Sequence, residues 1–61
     1  MFLERGMKLR LPGVRGWFEL VRPMPAPDYW LAYDFRQQDM VFIRADPSSV
    51  KVRRHKVVRQ K

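Results

Sequence analysis

Two kinds of chemistry would be open to this chain: proton or acyl transfer through its histidine and acids, or binding through its cations. The parts for the first are missing. His55 is the sole histidine and stands between Arg54 and Lys56, with no carboxylate nearby in sequence to orient an imidazole. As a metal ligand it would be alone, since zinc and iron sites gather three or four donors and the chain has no cysteine. Asp28, Asp39 and Asp46 fall where turns or caps are expected, and there a short carboxylate serves the backbone. Asp34 is the exception, because it sits inside an apolar run of strand length. It is placed to pair with Arg36 or Arg44, or to close an end of a sheet by accepting backbone hydrogen bonds. Ser48 and Ser49 belong with the turn that follows Pro47. The glycines at 6, 13 and 16 have no strand-then-helix context and form no phosphate loop. The expectation is a chain that is not an enzyme, that carries no cofactor and no metal, and that works by binding.

Its charge layout says what it would bind. Residues 1–50 hold seven cations against six acids, whereas residues 51–61 hold six cations, Lys51, Arg53, Arg54, Lys56, Arg59 and Lys61, and no acid. The body is close to neutral and the C-terminal segment is a polycation. A block of one sign repels itself and lowers its energy by meeting a polyanion. Nucleic acid, RNA or DNA, comes first, since guanidinium forks suit phosphate. Arg10, Arg44, Trp30 and Tyr33 are the expected extensions of that contact onto the body. Trp17, Trp30, Tyr33 and Phe42, where exposed, would add base stacking of about 1 to 3 kcal/mol each, which favours single strands or RNA. A solvated terminus with no partner is the plainest alternative for the basic segment. An acidic protein surface is the next partner, steered by the same charges. An anionic membrane surface ranks last, because Val57 and Val58 are a meagre anchor and KVRRHKVVRQK has no apolar stripe.

These groups need a scaffold, and the densest apolar block supplies it. DYWLAYDF, then RQQD, then MVFIRADP, from Asp28 to Pro47, reads as a hairpin. A four-residue loop over Arg36 to Asp39 would close the ladder at Phe35 and Met40. Phe35 with Met40, Tyr33 with Phe42 and Leu31 with Arg44 would then share one face. Asp34 with Val41, Ala32 with Ile43 and Trp30 with Ala45 would share the other. Both faces are largely apolar, and which is inside stays open. Small Ala32 and Ala45 suit the crowded concave side of a curled sheet, yet large aromatics are more often buried than displayed.

The rest of the chain fits around that hairpin. Residues 1–6 read as an N-terminal extension, and either Met1 or Met7 would serve as a start. Met7 to Leu11 alternates strictly, with Lys8 and Arg10 facing water, until Pro12 and Gly13 end the strand. Trp17 to Arg22 is a second strand, with Trp17, Glu19 and Val21 on one face and Phe18, Leu20 and Arg22 on the other. PMPAP, from Pro23 to Pro27, is a stiff connection outside the ladder. Asp46 and Pro47 suit the cap and first position of a single helical turn, and Val50 to Val52 resumes alternation with the valines inward.

With 61 residues the chain forms one domain and buries only roughly 60% of the surface it exposes unfolded. A flat sheet covered on both faces needs more chain. A sheet curled into a barrel, or one hiding its second face in a homodimer, does not. The expected architecture is all-β: a small five-stranded barrel over residues 7–52, SH3-like by analogy of architecture, with a short helical turn before the last strand and a basic tail over 53–61. No apolar run approaches the roughly 18 residues of a membrane span. MFLERG carries a charged pair where a secretory signal is apolar, so a soluble cytoplasmic protein without membrane insertion is expected.

Overall fold

Strict alternation at Met7 to Leu11 is the first pattern to become structure. In the computed structural model, which describes residues 2–52, it yields β1 (Lys8–Arg10), with Leu9 fully buried and Arg10 exposed. The other strands are β2 (Phe18–Pro23), β3 (Tyr29–Asp34), β4 (Asp39–Arg44) and β5 (Lys51–Val52). All pairings are antiparallel and form one sheet in the order β4-β3-β2-β1-β5. The fold is all-β, and the described residues contain no helix.

The core gathers side chains from across the whole sheet. Leu9, Phe18, Leu20, Ala32, Ile43 and Ala45 form its buried cluster, and Val52 of β5 packs against it together with Trp30, Val41 and Val50. Neighbouring strands lie about 4.8 Å apart, so a flat sheet would hold β4 and β5 nearly 20 Å from each other. The sheet must therefore curl around its core. Among the described residues no ladder joins β4 to β5, so the sheet is open and closure into the expected barrel is not seen. The expected helical turn is corrected. Residues 47–49 form a turn in which the Ser49 and Val50 N–H groups both donate to the Asp46 carbonyl, and no helical run follows.

The hairpin forms one step away from its expected register. Tyr33 pairs with Met40, Leu31 with Phe42 and Tyr29 with Arg44, so the loop is residues 35–38 and not 36–39. Asp34 is the cause. Its carboxylate accepts the N–H groups of Arg36 (2.9 Å) and Gln37 (3.3 Å), and its carbonyl accepts that of Gln38 (2.7 Å). Of the roles open to Asp34, backbone acceptor is the one it takes. Gln38 completes the turn in the left-handed region at φ 58°. The slip moves each partner by two residues, so every side chain keeps its expected face.

That settles which face is inside. Ala32, Ile43 and Ala45 are buried, whereas Tyr29, Phe35, Met40 and Phe42 are exposed. The reading with the aromatic face inward is overturned. Small alanines let the concave backbone approach its core, which holds the Phe18 ring and part of Trp30, while the rings of Tyr29, Phe35 and Phe42 stay on the wider convex side.

β2 departs from regular alternation. Leu20 pairs with Ala32 and Arg22 with Leu31, leaving Val21 as the extra residue of a bulge. Arg22 therefore leaves the Phe18–Leu20 face on which simple alternation put it, and joins the outer one. Pro23 is the last residue of β2, opposite Trp30, where its missing donor is tolerated at a strand end. Ahead of β1, the Gly6 N–H donates to the Leu20 carbonyl (2.7 Å) and Leu3 packs against the core cluster.

Candidate nucleic-acid interface

The registers place one continuous set of side chains on the convex face. Glu19 is the shared partner of Lys8 on β1 and Tyr33 on β3, and Tyr33 is in turn opposite Met40, giving a row Lys8–Glu19–Tyr33–Met40. The neighbouring row is Arg22–Leu31–Phe42, and beyond it Tyr29 pairs with Arg44. On the other side Arg10 pairs with Lys51. One step past the β1–β2 ladder the Arg10 guanidinium lies over the Trp17 ring, 5.6 Å from its centroid. The Phe35 N–H donates to the Trp17 carbonyl (3.2 Å), which carries this row across to the hairpin loop.

Aromatic groups make up the middle of the face. Tyr33 and Phe35 meet edge to face with centroids 5.0 Å apart, and the Lys8 ammonium sits 5.8 Å from the Phe35 ring centre. Such ring pairs hold their members in fixed orientations, worth about 0.5 to 1.5 kcal/mol beyond area. Phe42, at 68% exposure, is open to solvent.

Charge on the same face is of one sign but for one residue. Lys8, Arg10, Arg22, Arg44 and Lys51 lie on it, and Glu19 is its only acid. Glu19 faces Lys8 at 3.9 Å, a half-exposed pair that contributes at most about 1 kcal/mol. Three of the other acids bond local groups of their own turns. Asp34 caps the hairpin loop, the Asp39 carboxylate accepts the Met40 N–H (2.8 Å), and Asp46 accepts both the N–H and the hydroxyl of Ser48. Those Ser48 hydrogen bonds, backbone first, hold the Asp46 carboxyl below the ordinary aspartate range, with a smaller push from the Arg44 charge.

Of the residues that sequence singled out, Arg10, Arg44, Tyr33 and Lys51 come together on the convex face. Trp30 does not join them. It falls on the opposite face, opposite Ile43, half-buried against the core. Arg53, Arg54, Lys56, Arg59 and Lys61 lie outside the described residues. Trp17, expected to stack bases, lies beside the convex-face residues under Arg10, whereas Lys8, Arg22 and Phe35 were missed. Strict alternation already carried Lys8 to the side of Arg10, but the bulge that brings Arg22 there leaves no mark in the sequence.

Among the described residues no cluster of His, Asp and Glu is placed to hold a metal ion, and no helix is long and apolar enough to cross a membrane. The chain matches no protein-family model, and no curated protein or solved structure is significantly similar to it, so the case for this face rests on its own residues.

Proposed function

We propose that this chain is a non-enzymatic nucleic-acid-binding protein that lays a single strand across the convex face of its sheet. One observation carries the reading: the face combines exposed and edge-packed aromatics with five cations and a single acid, while the other described acids, Glu4 apart, sit in turns and caps. Bases stack on rings whatever their identity, and cations beside the rings meet the phosphates between the bases. Sequence adds the second half of the interface. The polycation begins at Lys51, paired with Arg10 at one end of this face, and continues through Arg53, Arg54, Lys56, Arg59 and Lys61. The architecture we propose for the curled sheet is the SH3-like barrel type, on the strength of its meander order and its bulged second strand.

The test is a titration of the protein with a mixed-sequence single strand and with a duplex, read by Trp17 and Trp30 fluorescence at two salt concentrations. The expected result is tighter binding to the single strand, quenching, and a steep loss of affinity with salt. Removing residues 53–61 should leave the fold intact and take away most of the affinity. Equal binding by the shortened chain would end the claim for the tail. Failure of both nucleic acids to bind would end the reading as a whole.

A second reading, a small adaptor or assembly subunit docking a protein through its aromatic face, is favoured by Phe42 and Met40. Both are exposed on β4, which among the described residues is an edge strand with no ladder on its outer side.

A further inference from the structure

At the end of the sheet where β1 meets β5, the chain forms an open groove of about 400 Å³. Three cations line it, from three separate parts of the chain: Arg10 at the end of β1, Arg15 from the loop that follows, and Lys51 from β5. No carboxylate among the described residues lines it. Three like charges around one concavity raise each other's energy, and the arrangement is relieved when an anion enters. Local geometry fixes two sides. The Val14 N–H donates to the Leu11 carbonyl (3.1 Å), closing a turn with Pro12 and Gly13 at its tip and Gly13 at φ 73°. Ser49, held by the Asp46 turn, also lines the groove.

We propose that this groove is a phosphate site, taking one backbone phosphate of the strand that stacks on the convex face. The inference rests on the nucleic-acid reading and adds where the strand must run. Arg10 belongs to both places, since its guanidinium lies over Trp17 and the residue also lines the groove. A base on the aromatic face beside Trp17 therefore has its neighbouring phosphate within reach of Arg10, and Arg15 and Lys51 complete the cationic wall. Leu11 and Val14 give the sugar an apolar surface. The volume lies in the range of about 300 to 1,000 Å³ usual for small-ligand sites, so one nucleotide unit fits where a whole helix does not.

Arg15 is the residue that separates the groove from the face, being exposed, in a loop, and on none of the face's rows. The experiment is an amide NMR titration of the full chain with a short oligothymidylate and, separately, with inorganic pyrophosphate, alongside the salt dependence of oligothymidylate binding for the wild type and R15A. The expected result is shifts at Gly13, Val14, Ser49 and Lys51 with the oligonucleotide, and a salt slope for R15A shallower by about 0.7, the loss of one phosphate contact on a single strand. An R15E variant should weaken binding further, with an unchanged spectrum elsewhere showing that it is folded. Shifts confined to Tyr33, Met40 and Phe42, with an unaltered slope, would overturn the groove while leaving the convex face standing. Shifts at the groove with pyrophosphate but no oligonucleotide binding would keep the anion site, assign it to free phosphate, and overturn the strand path and the nucleic-acid reading together.

Discussion

The Arg10 guanidinium lies over the Trp17 indole at 5.6 Å from the ring centre, across the point where β1 and β2 stop pairing. Exposed contacts of this kind stabilise by only about 0.5 to 1 kcal/mol. Their larger effect is orientation, since a flexible cation is held flat beside a stacking surface. Arg10→Ala is therefore expected to lower thermal stability slightly, reduce oligonucleotide affinity and make the salt dependence shallower. Arg10→Lys restores charge but not the planar fork, so it should recover the salt slope better than the affinity. Full recovery of both by lysine would show that Arg10 acts as a point charge alone.

Asp34 is the residue on which hairpin register depends. It is buried, and its carboxylate accepts two backbone N–H groups of the loop. Asp34→Ala removes both acceptors and should cost about 1 to 3 kcal/mol, as hydrogen bonds to charged groups do. Asp34→Asn keeps one carbonyl oxygen of the same reach and should cost less. Urea unfolding of the two variants decides it, and an equal loss for both would mean that charge and not acceptor geometry sets the loop.

Asp34 also marks the limit of what was legible in advance. Alternation at Met7 to Leu11 and through Leu31 to Arg44 assigned nearly every side chain to its observed face, because a period of two survives a register slip of two. The slip itself was not legible, since it turns on one carboxylate choosing backbone donors over Arg36 or Arg44. Nor was the bulge at Val21, which moves Arg22 across the sheet with no glycine to announce it. Ala32 and Ala45 pointed to the concave face, but the habit of burying rings pointed the other way. The core settles it: Phe18 and part of Trp30 fill the inside, and the hairpin's Tyr29, Phe35 and Phe42 are left outside.

Asp46 makes the acid limb of stability testable. Its carboxyl is lowered mainly by the Ser48 N–H, then by the Ser48 hydroxyl, with Arg44 adding a smaller charge effect. A folded-state pKa below the unfolded one means that the stabilisation is complete above the ordinary aspartate value and is lost as pH falls through the lowered one. Ser48→Ala removes the hydroxyl but leaves the N–H, so the Asp46 titration should move part of the way back. Side-chain carboxyl NMR reads this directly. Asp46→Asn should flatten the stability profile over that acid window and lower stability by a constant amount above it.

Phe42 separates what the face does from what holds it up. At 68% exposure, opposite half-buried Leu31, it contributes a cross-strand contact of about 0.2 to 1 kcal/mol. Phe42→Ala should therefore unfold at nearly the wild-type urea concentration. Tyr33→Ala should not, because Tyr33 is half-buried, packs edge to face on Phe35 and sits in the middle of the sheet. If a strand crosses the whole face, Phe42→Ala loses a stacked base and with it about 1 to 3 kcal/mol of oligonucleotide binding, far more than it loses in stability. If the face docks protein, oligonucleotide binding is unchanged and self-association or partner capture falls, which sedimentation of the purified variant measures for the homodimer case. The two outcomes divide because Phe42 touches too little of its own chain to do anything but meet something else.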